Sequence, residues 1–548
     1  MLHRLHLYWE TLRHLRPVQF HGRLRFRLAR PRPDLRPAPP RRVLIPEGWA
    51  PPACRRPSQT GPDRFCFLNE THTLAECGWD DPTIGKLWRY NLHYFDDLNA
   101  EGAGERRSWH EQAIARWIAE NPPGRGTGWE PYPTSLRIVN WIKWVLAGNA
   151  LSPDGFHSLA VQTRWLTRRL EYHLLGNHLF ANAKALVFAG VFFAGPEADS
   201  WLAQGLSILA REIPEQILPD GGQFELSPMY HALALEDMLD LVNLLRSAGS
   251  AIPAGWREVT DWPERIAAMR GWLAAMCHPD GEIAFFNDAA IGIAPSPAEL
   301  ERYAARLNLE ALPAPGTGAT WLRDSGYIRL ATGPVVALLD VARIGPDYLP
   351  GHAHADTLSF EMSLAGQRML VNAGTSEYGG GPERLRQRGT AAHNTVSIGM
   401  ENSSEVWSGF RVARRARPQG LTLSGDGATI SCGHDGYERL PGRPRHLRTW
   451  QADSDRLIVT DRIEGGRHDA RARFHLHPDV TVSEGADPGT GLLARGPDAA
   501  LRWRVLTGSH RIVPSSWHPE FGITRSSRCL EVELRNGESM VEFSWSRR

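Results

Sequence analysis

Four short segments of this 548-residue chain carry polar side chains whose types and spacing could move a proton or hold an anion. The first is GNHLFANAKAL, Gly176 to Leu186, where Asn177 stands at a natural N-cap and a helical pattern begins at His178. A helix N-terminus offers unpaired N–H groups and a positive dipole end, which suits a carboxylate ligand. The plainer alternative is that Asn177 caps its own helix and His178 packs beside it. The second is DGGQFELSPMYHALALEDM, Asp220 to Met238. Ser227 and Pro228 make a strong helix start, serine as cap and proline at the first helical position. Tyr230 then falls in the first turn, where the macrodipole favours a phenolate. A tyrosine of lowered pKa can act as general acid or base near neutral pH, although a ring packed on a neighbouring helix would use the same position. Glu225, just ahead of the cap, could bind a ligand's hydroxyls or hold the loop, and His231 is a further candidate ligand contact.

The third segment is GHAHADTLSFEMSLAGQRMLVNAGTSEYGGG, Gly351 to Gly381. His352, His354 and Asp356 alternate, so in an extended chain they share a face that Leu358, Phe360 and Met362 continue into the core. Leaving such polar groups buried and unpaired costs about 1–3 kcal/mol each, so they need partners: a metal, or a catalytic histidine with the carboxylate that orients it. The fourth is RLRQRGTAAHNTVSIGMENSSEVW, Arg384 to Trp407, with His393 ahead of a strand and arginines crowded upstream. Arg384 and Arg388 could grip carboxylates or sulfates in bidentate fashion. Gly379, Gly380 and Gly381 would let that loop approach a ligand closely.

Two kinds of element must position these groups. From about Ser108 to Leu307 the apolar spacing is helical, in segments such as TSLRIVNWIKWVLAG and PMYHALALEDMLDLVNLL. After about Thr320 the period falls to two, in YIRLAT, VVALLDVA, LIVTDRI, RARFHLH and CLEVELRN. Stacked helical hairpins followed by an antiparallel sandwich are expected. The predicted units are a basic leader with a proline-rich linker over 1–56, a helical domain over 57–320 and a β-sandwich over 321–548. The leader reads either as a patch for membrane or anionic polymer or as a helix packed on the body with a wrapping linker.

A formal charge of +1 gives no reason to expect nucleic acid, and any pull on an anion must be local. Six cysteines without CxxC pairing argue against a disulfide scaffold or zinc ribbon. The leader lacks the continuous apolar stretch of a secretory signal. The longest apolar run, Ala185 to Gly195, is too short to span a bilayer. A cytoplasmic protein without an integral membrane segment is the default expectation, the periplasm remaining open. Oligomeric state is left open too.

Taken in this order, GNH, ELSPMYH, GHAHADTLSFE and AHNTVSI resemble the heparinase II/III superfamily of polysaccharide lyases, over roughly Asn91 to Arg415. The resemblance implies an incomplete (α/α) toroid followed by an antiparallel β-sandwich, an acidic polysaccharide as substrate and no organic cofactor. It implies that Asn177, with His178 beside it, neutralises a uronate carboxylate. Tyr230 becomes the catalytic acid or base, His352 the active-site histidine, and Tyr378 a second tyrosine. His354 and His393 match two ligands of a structural zinc. The family commonly reads VDPGT where this chain reads Val371-Asn372-Ala373-Gly374-Thr375. The third ligand is therefore Asn372, whose neutral amide oxygen is a weaker zinc ligand than a carboxylate, so zinc is expected to be held loosely or not at all.

The implied reaction is β-elimination. The proton at C5 of a uronic acid becomes removable once the adjacent carboxylate is neutralised, which stabilises an enolate-like intermediate. Tyr230 or His352 takes that proton, and Tyr230 is the candidate to protonate the departing O4. Two other readings stand beside it. A glycoside hydrolase would need carboxylates on both sides of the scissile bond, for which Glu225, Glu236 and Asp237 are available. A non-catalytic protein of exopolysaccharide synthesis or export would hold polymer without cutting it.

Overall fold

Three helices begin with the same dipeptide, Ser-Pro, and the computed structural model shows each serine as the cap: Ser152 Oγ accepts from Gly155 N–H at 3.1 Å, Ser227 from Tyr230 at 3.2 Å and Ser296 from Glu299 at 3.2 Å. The structure describes residues 2–42, 44, 48–249 and 261–546. Segments 43, 45–47 and 250–260, inside the predicted leader and helical units, lie outside the described residues.

The leader forms α1 (Leu2–Leu12) and α2 (Pro17–Leu28), then an extended chain that runs along the helical body. There Arg164 Nη2 donates to Pro37 O at 2.9 Å and Arg42 N–H to Phe192 O at 2.9 Å. A short three-stranded sheet over residues 59–73 leads through α3 (Leu74–Cys77) into α4 (Lys86–Tyr94), α5 (Arg107–Glu120), α6 (Pro131–Leu146) and α7 (Pro153–Thr167). The helical series closes with α8 (Gly176–Phe192), α9 (Pro196–Gln216), α10 (Pro228–Ala248), α11 (Trp262–Ala275) and α12 (Pro297–Arg306). These helices form the incomplete (α/α) toroid. Nearly all of α8 is buried, as a helix apolar on every side must be, and it contacts α6, α7, α9 and α10. Its close seat on α9 depends on Gly190, where a Cβ would lie 2.5 Å from the Leu202 nitrogen.

The sheet half begins at Gly318. A five-stranded meander runs in chain order from Gly318–Leu322 to Gln367–Leu370. It packs with an eight-stranded and a four-stranded antiparallel sheet around Phe360, Trp450, Phe474 and Phe543. Alternating burial is plain in the paired strands Arg445–Ala452 and Arg456–Glu464, where Trp450 faces Val459 in the core. One helix interrupts the sheets, α13 (Pro382–Arg388).

A separate apolar cluster joins the two halves, with Leu226, Trp272 and Phe286 from the helical side against Tyr327, Leu338 and Ala342. Trp272 Nε1 donates to Ser325 Oγ at 2.8 Å, and the Tyr327 hydroxyl donates to Leu226 O at 2.7 Å. The functional segments flank this seam.

Candidate active site

Because Ser227 caps α10 and Pro228 opens it, Tyr230 is fixed in the first turn with its ring at the seam. Its hydroxyl lies 2.9 Å from that of Tyr378, and its ring stacks on His352 with centroids 3.9 Å apart. The expected phenolate is not what this setting favours. Burial, then the neighbouring Tyr378 and the Asp288 charge, push the Tyr230 phenol well above its ordinary value, outweighing any first-turn dipole. Tyr230 is held protonated. Burial and Asp288 act on Tyr378 in the same direction.

His352 and His354 do point the same way, but not as members of a strand. Leu358 adopts φ 63° and breaks the extended run, so pairing begins only at Phe360. The group both histidines reach is Asp288, in the turn between α11 and α12. His352 Nδ1 lies 2.9 Å from Oδ2, and His354 Nε2 lies 2.8 Å from Oδ1. Arg384 closes on the same carboxylate through both terminal nitrogens, Nη2 at 2.6 Å from Oδ2. Burial would raise the Asp288 carboxyl, but Arg384 and the two histidine hydrogen bonds hold it well below the usual range. Against an ionised Asp288, His352 Nδ1 is the donor of that contact, and Nε2 is the ring nitrogen the carboxylate does not engage. Glu225 Oε2 is 3.7 Å from that nitrogen, and burial raises the Glu225 carboxyl.

Asn177 is not the helix cap. Leu175 (φ 65°) and Gly176 (φ 55°) turn the chain so that the cap falls at Leu175 and the helix starts at Gly176. The Asn177 amide, released from capping, is half-buried and makes no side-chain hydrogen bond among the described residues. A Cβ on the adjacent Gly176 would sit 3.7 Å from Glu225 Oε1, which places the start of α8 beside the carboxyl group that flanks His352 Nε2. His178 lies against the Tyr132 ring, centroids 4.5 Å apart, with Nδ1 3.1 Å from Glu171. Burial works against its charge, but Glu171 more than offsets this and raises its pKa.

Three expected substrate contacts are internal instead. His231 is fully buried against Trp272, with Nδ1 accepting from Gln223 N–H at 3.2 Å and Nε2 2.9 Å from Met269 O. Arg384 is spent on Asp288. Arg388 donates to Ala353 O, Ser408 O and Gly409 O with no exposed surface. The arginine-rich stretch forms the helix α13, so Arg384, Gln387 and Arg388, at i, i+3 and i+4, point inward. Close approach at the neighbouring glycines is between backbones: a Cβ on Gly409 would meet Gly379 O at 2.3 Å.

Buried neutral imidazoles such as His231 predict acid lability. Burial lowers its pKa from 6.5 to about 4, and that of His93 to about 3. Below about pH 6.5 the unfolded chain takes up protons that the folded chain refuses. Stability is therefore complete above that pH and drains as pH falls toward 4, by on the order of 2 kcal/mol per histidine at pH 5. The melting temperature should drop between pH 7 and pH 5; a flat profile would mean these rings charge without unfolding the chain.

The residues matched to a zinc site are engaged with one another and with the backbone. His354 Nδ1 and His393 Nε2 face each other at 3.3 Å, and His393 Nδ1 is buried without a partner. Asn372 is turned away, its oxygen accepting from Asn394 N–H at 3.1 Å and its nitrogen donating to Phe285 O at 3.0 Å. Among the described residues no group of three His, Cys, Asp or Glu is arranged to hold a metal.

Tyr230 and Tyr378 open onto a cleft of about 320 Å³. Leu68, Leu87, Tyr378 and Phe521 also border a second hollow of about 540 Å³, and Arg55, Arg56, Ile291 and Gly292 border a third of about 510 Å³. Both hollows share lining residues with the cleft and so adjoin it. The cleft's four cations, Arg55, Arg56, Lys143 and Lys184, meet four carboxylates, Asp96, Glu236, Asp237 and Glu520. Each cation is already paired: Arg56 with Glu520 at 3.0 Å, Lys184 with Asp237 at 2.6 Å, Arg55 with Glu236 and Lys143 with Asp240.

Sequence reasoning missed Asp288. The only signal for it was the need of two histidines for a carboxylate, and Asp356, closer in the chain, drew that role. Asp356 accepts instead from Asn287 N–H at 3.1 Å.

Two family models match the chain: Heparinase II/III N-terminus over residues 103–304 and Heparinase II/III-like, C-terminal over residues 314–546. Heparin-sulfate lyase of Bacteroides stercoris is 26% identical over 388 residues, 65% of this chain and 54% of that protein. FtsZ-localized protein C of Caulobacter vibrioides is 26% identical over 486 residues, 82% of this chain and 79% of that protein. The structure of heparan sulfate lyase from Pedobacter heparinus shares the fold, with TM-score 0.55 at 18% identity, covering 97% of this chain and 88% of that one. The chain spans about half the length of the heparin-sulfate lyases it matches.

Proposed function

This chain belongs to the heparinase II/III family, and from that premise we propose that it is a polysaccharide lyase cutting a uronate-containing polymer by β-elimination. The observation that carries the reading is the chain Tyr378–Tyr230–His352–Asp288, in which a buried phenol lies between a second phenol and an imidazole whose Nδ1 faces a carboxylate. His352 Nε2 takes the C5 proton. The electron pair forms the C4–C5 double bond, and O4 leaves with the Tyr230 proton, Tyr378 orienting that hydroxyl. The free Asn177 amide meets the uronate carboxylate, and Asp288 and Glu225 flank the imidazolium that forms, a preorganised electrostatic setting.

The paired charges of the cleft favour a sparsely charged polymer over a heavily sulfated one, since among the described residues each of its four cations already answers a carboxylate. Two further hollows adjoining the cleft leave room for more than one sugar beside the tyrosines and favour internal cuts. The hydrolase reading loses support because Glu236 and Asp237 already answer Arg55 and Lys184.

The test is a panel of uronate polymers, sulfated and unsulfated, followed by the ultraviolet absorbance of the new double bond and by product size. Absorbance should grow fastest on unsulfated chains, with oligomers appearing before single units, and EDTA should leave the rate unchanged because Asn372 completes no metal site. New reducing ends without absorbance would identify a hydrolase and end the proposal.

A further inference from the structure

Among the described residues fourteen large apolar side chains are exposed, and nine of them lie between Leu5 and Leu35. They are ordered. On α1, Leu5, Trp9 and Leu12 recur at i, i+4 and i+7; on α2, Phe20, Leu24 and Leu28 recur at i, i+4 and i+8. Each set makes one stripe. Trp9 is 66% exposed, Leu24 59% and Leu28 70%.

The opposite faces hold the body. Leu7 is buried, and Thr11 Oγ1 accepts from Trp407 Nε1 at 3.1 Å. Gln19 Nε2 donates to Tyr348 O at 3.2 Å, Phe26 lies against His173, and a Cβ on Gly22 would meet the His173 nitrogen at 2.8 Å. An ordinary surface helix turns its apolar stripe inward. On α2 this pattern is largely inverted, with Gln19 and Gly22 inward beside Phe26, and Phe20, Leu24 and Leu28 outward.

The charge says what such a face would meet. Residues 1–32 carry eight arginines and a single acid, Glu10, in a chain whose total is only +1. Arg4, Arg25, Arg27 and Arg30 have no carboxylate partner among the described residues. An acidic polymer would use the arginines but not the leucines. A second copy of the hairpin would set arginine against arginine. Apolar stripes with an aromatic residue, fringed by unpaired cations, match the boundary between acyl chains and anionic headgroups.

We propose that α1 and α2 dock this protein in the plane of an anionic phospholipid surface, with no segment crossing it. The proposal stands apart from the lyase reading. The full chain should co-sediment with vesicles of phosphatidylglycerol and phosphatidylcholine, and weakly with phosphatidylcholine alone. The double variant Trp9→Glu, Leu24→Glu should lose affinity roughly tenfold or more, with an unchanged far-ultraviolet circular dichroism spectrum and unchanged turnover on soluble polymer. Failure to sediment with anionic vesicles, or sedimentation that survives the double substitution, overturns it. A solution dimer that the substitutions convert to monomer would assign the face to a second copy and overturn it equally.

Discussion

A Tyr230→Phe chain is expected to keep its fold and its affinity for polymer while turnover falls by about 10²- to 10⁴-fold, the usual worth of a positioned proton donor. The substitution removes one oxygen. It leaves the ring stacked on His352, because that contact is through the face, and it leaves the Ser227 cap intact. What disappears is the 2.9 Å hydroxyl contact with Tyr378 and the proton destined for O4. Initial rates by absorbance, with calorimetric binding of an unsulfated oligomer, separate the two effects. Should the phenylalanine variant cut at the wild-type rate, the departing oxygen is protonated by something else and the mechanism fails. A protein that merely held polymer would have no turnover to lose.

The second large effect concerns Asp288. Asp288→Asn removes the charge but not the volume, leaving Arg384 buried with no anion and giving His352 and His354 an amide in place of an acceptor-only partner. Breaking one side of a buried ion pair costs about 3–5 kcal/mol, so a marked fall in melting temperature is expected, together with loss of turnover as His352 is freed to adopt the wrong tautomer. Arg384→Met alone should destabilise by a similar amount, since it strands the carboxylate. The double variant should be less destabilised than the two losses added together, because an amide beside a thioether strands no charge. Its activity should nevertheless stay low. Denaturant melts on the four proteins decide this: strictly additive losses would show that the carboxylate and the guanidinium do not depend on one another.

These two residues differ in how far the sequence reveals them. Tyr230 is legible because its position follows from a local rule, Ser227 and Pro228 starting α10 three residues ahead. The strands are legible for the same reason: alternation along LIVTDRI or RARFHLH needs only neighbours. Asp288 obeys no local rule. It is fixed by partners 64, 66 and 96 residues away, and only the closure of the sheet half onto the helical half brings them together. Asn177 lies between these cases, since the helix was legible but its first residue depended on positive φ at Leu175 and Gly176. Arg384 and Arg388 misled because arginines in a basic run read as free to grip an anion, whereas α13 turns both of them inward with Gln387. Asn372 differed from the family pattern visibly, and its hydrogen bonds to Asn394 and Phe285 give that difference a structural use.

The turn that carries Asp288 lies inside the stretch matched by the N-terminal family model, while His352, His354 and Arg384 lie inside the C-terminal one. Recombination between related genes at the junction near residue 310 would therefore separate a carboxylate from everything it neutralises. A chimera could unite two sound halves and still misplace its histidine, unless the donor's arginine met the recipient's aspartate at the same height. The two halves of this lineage are expected to have been inherited as a pair.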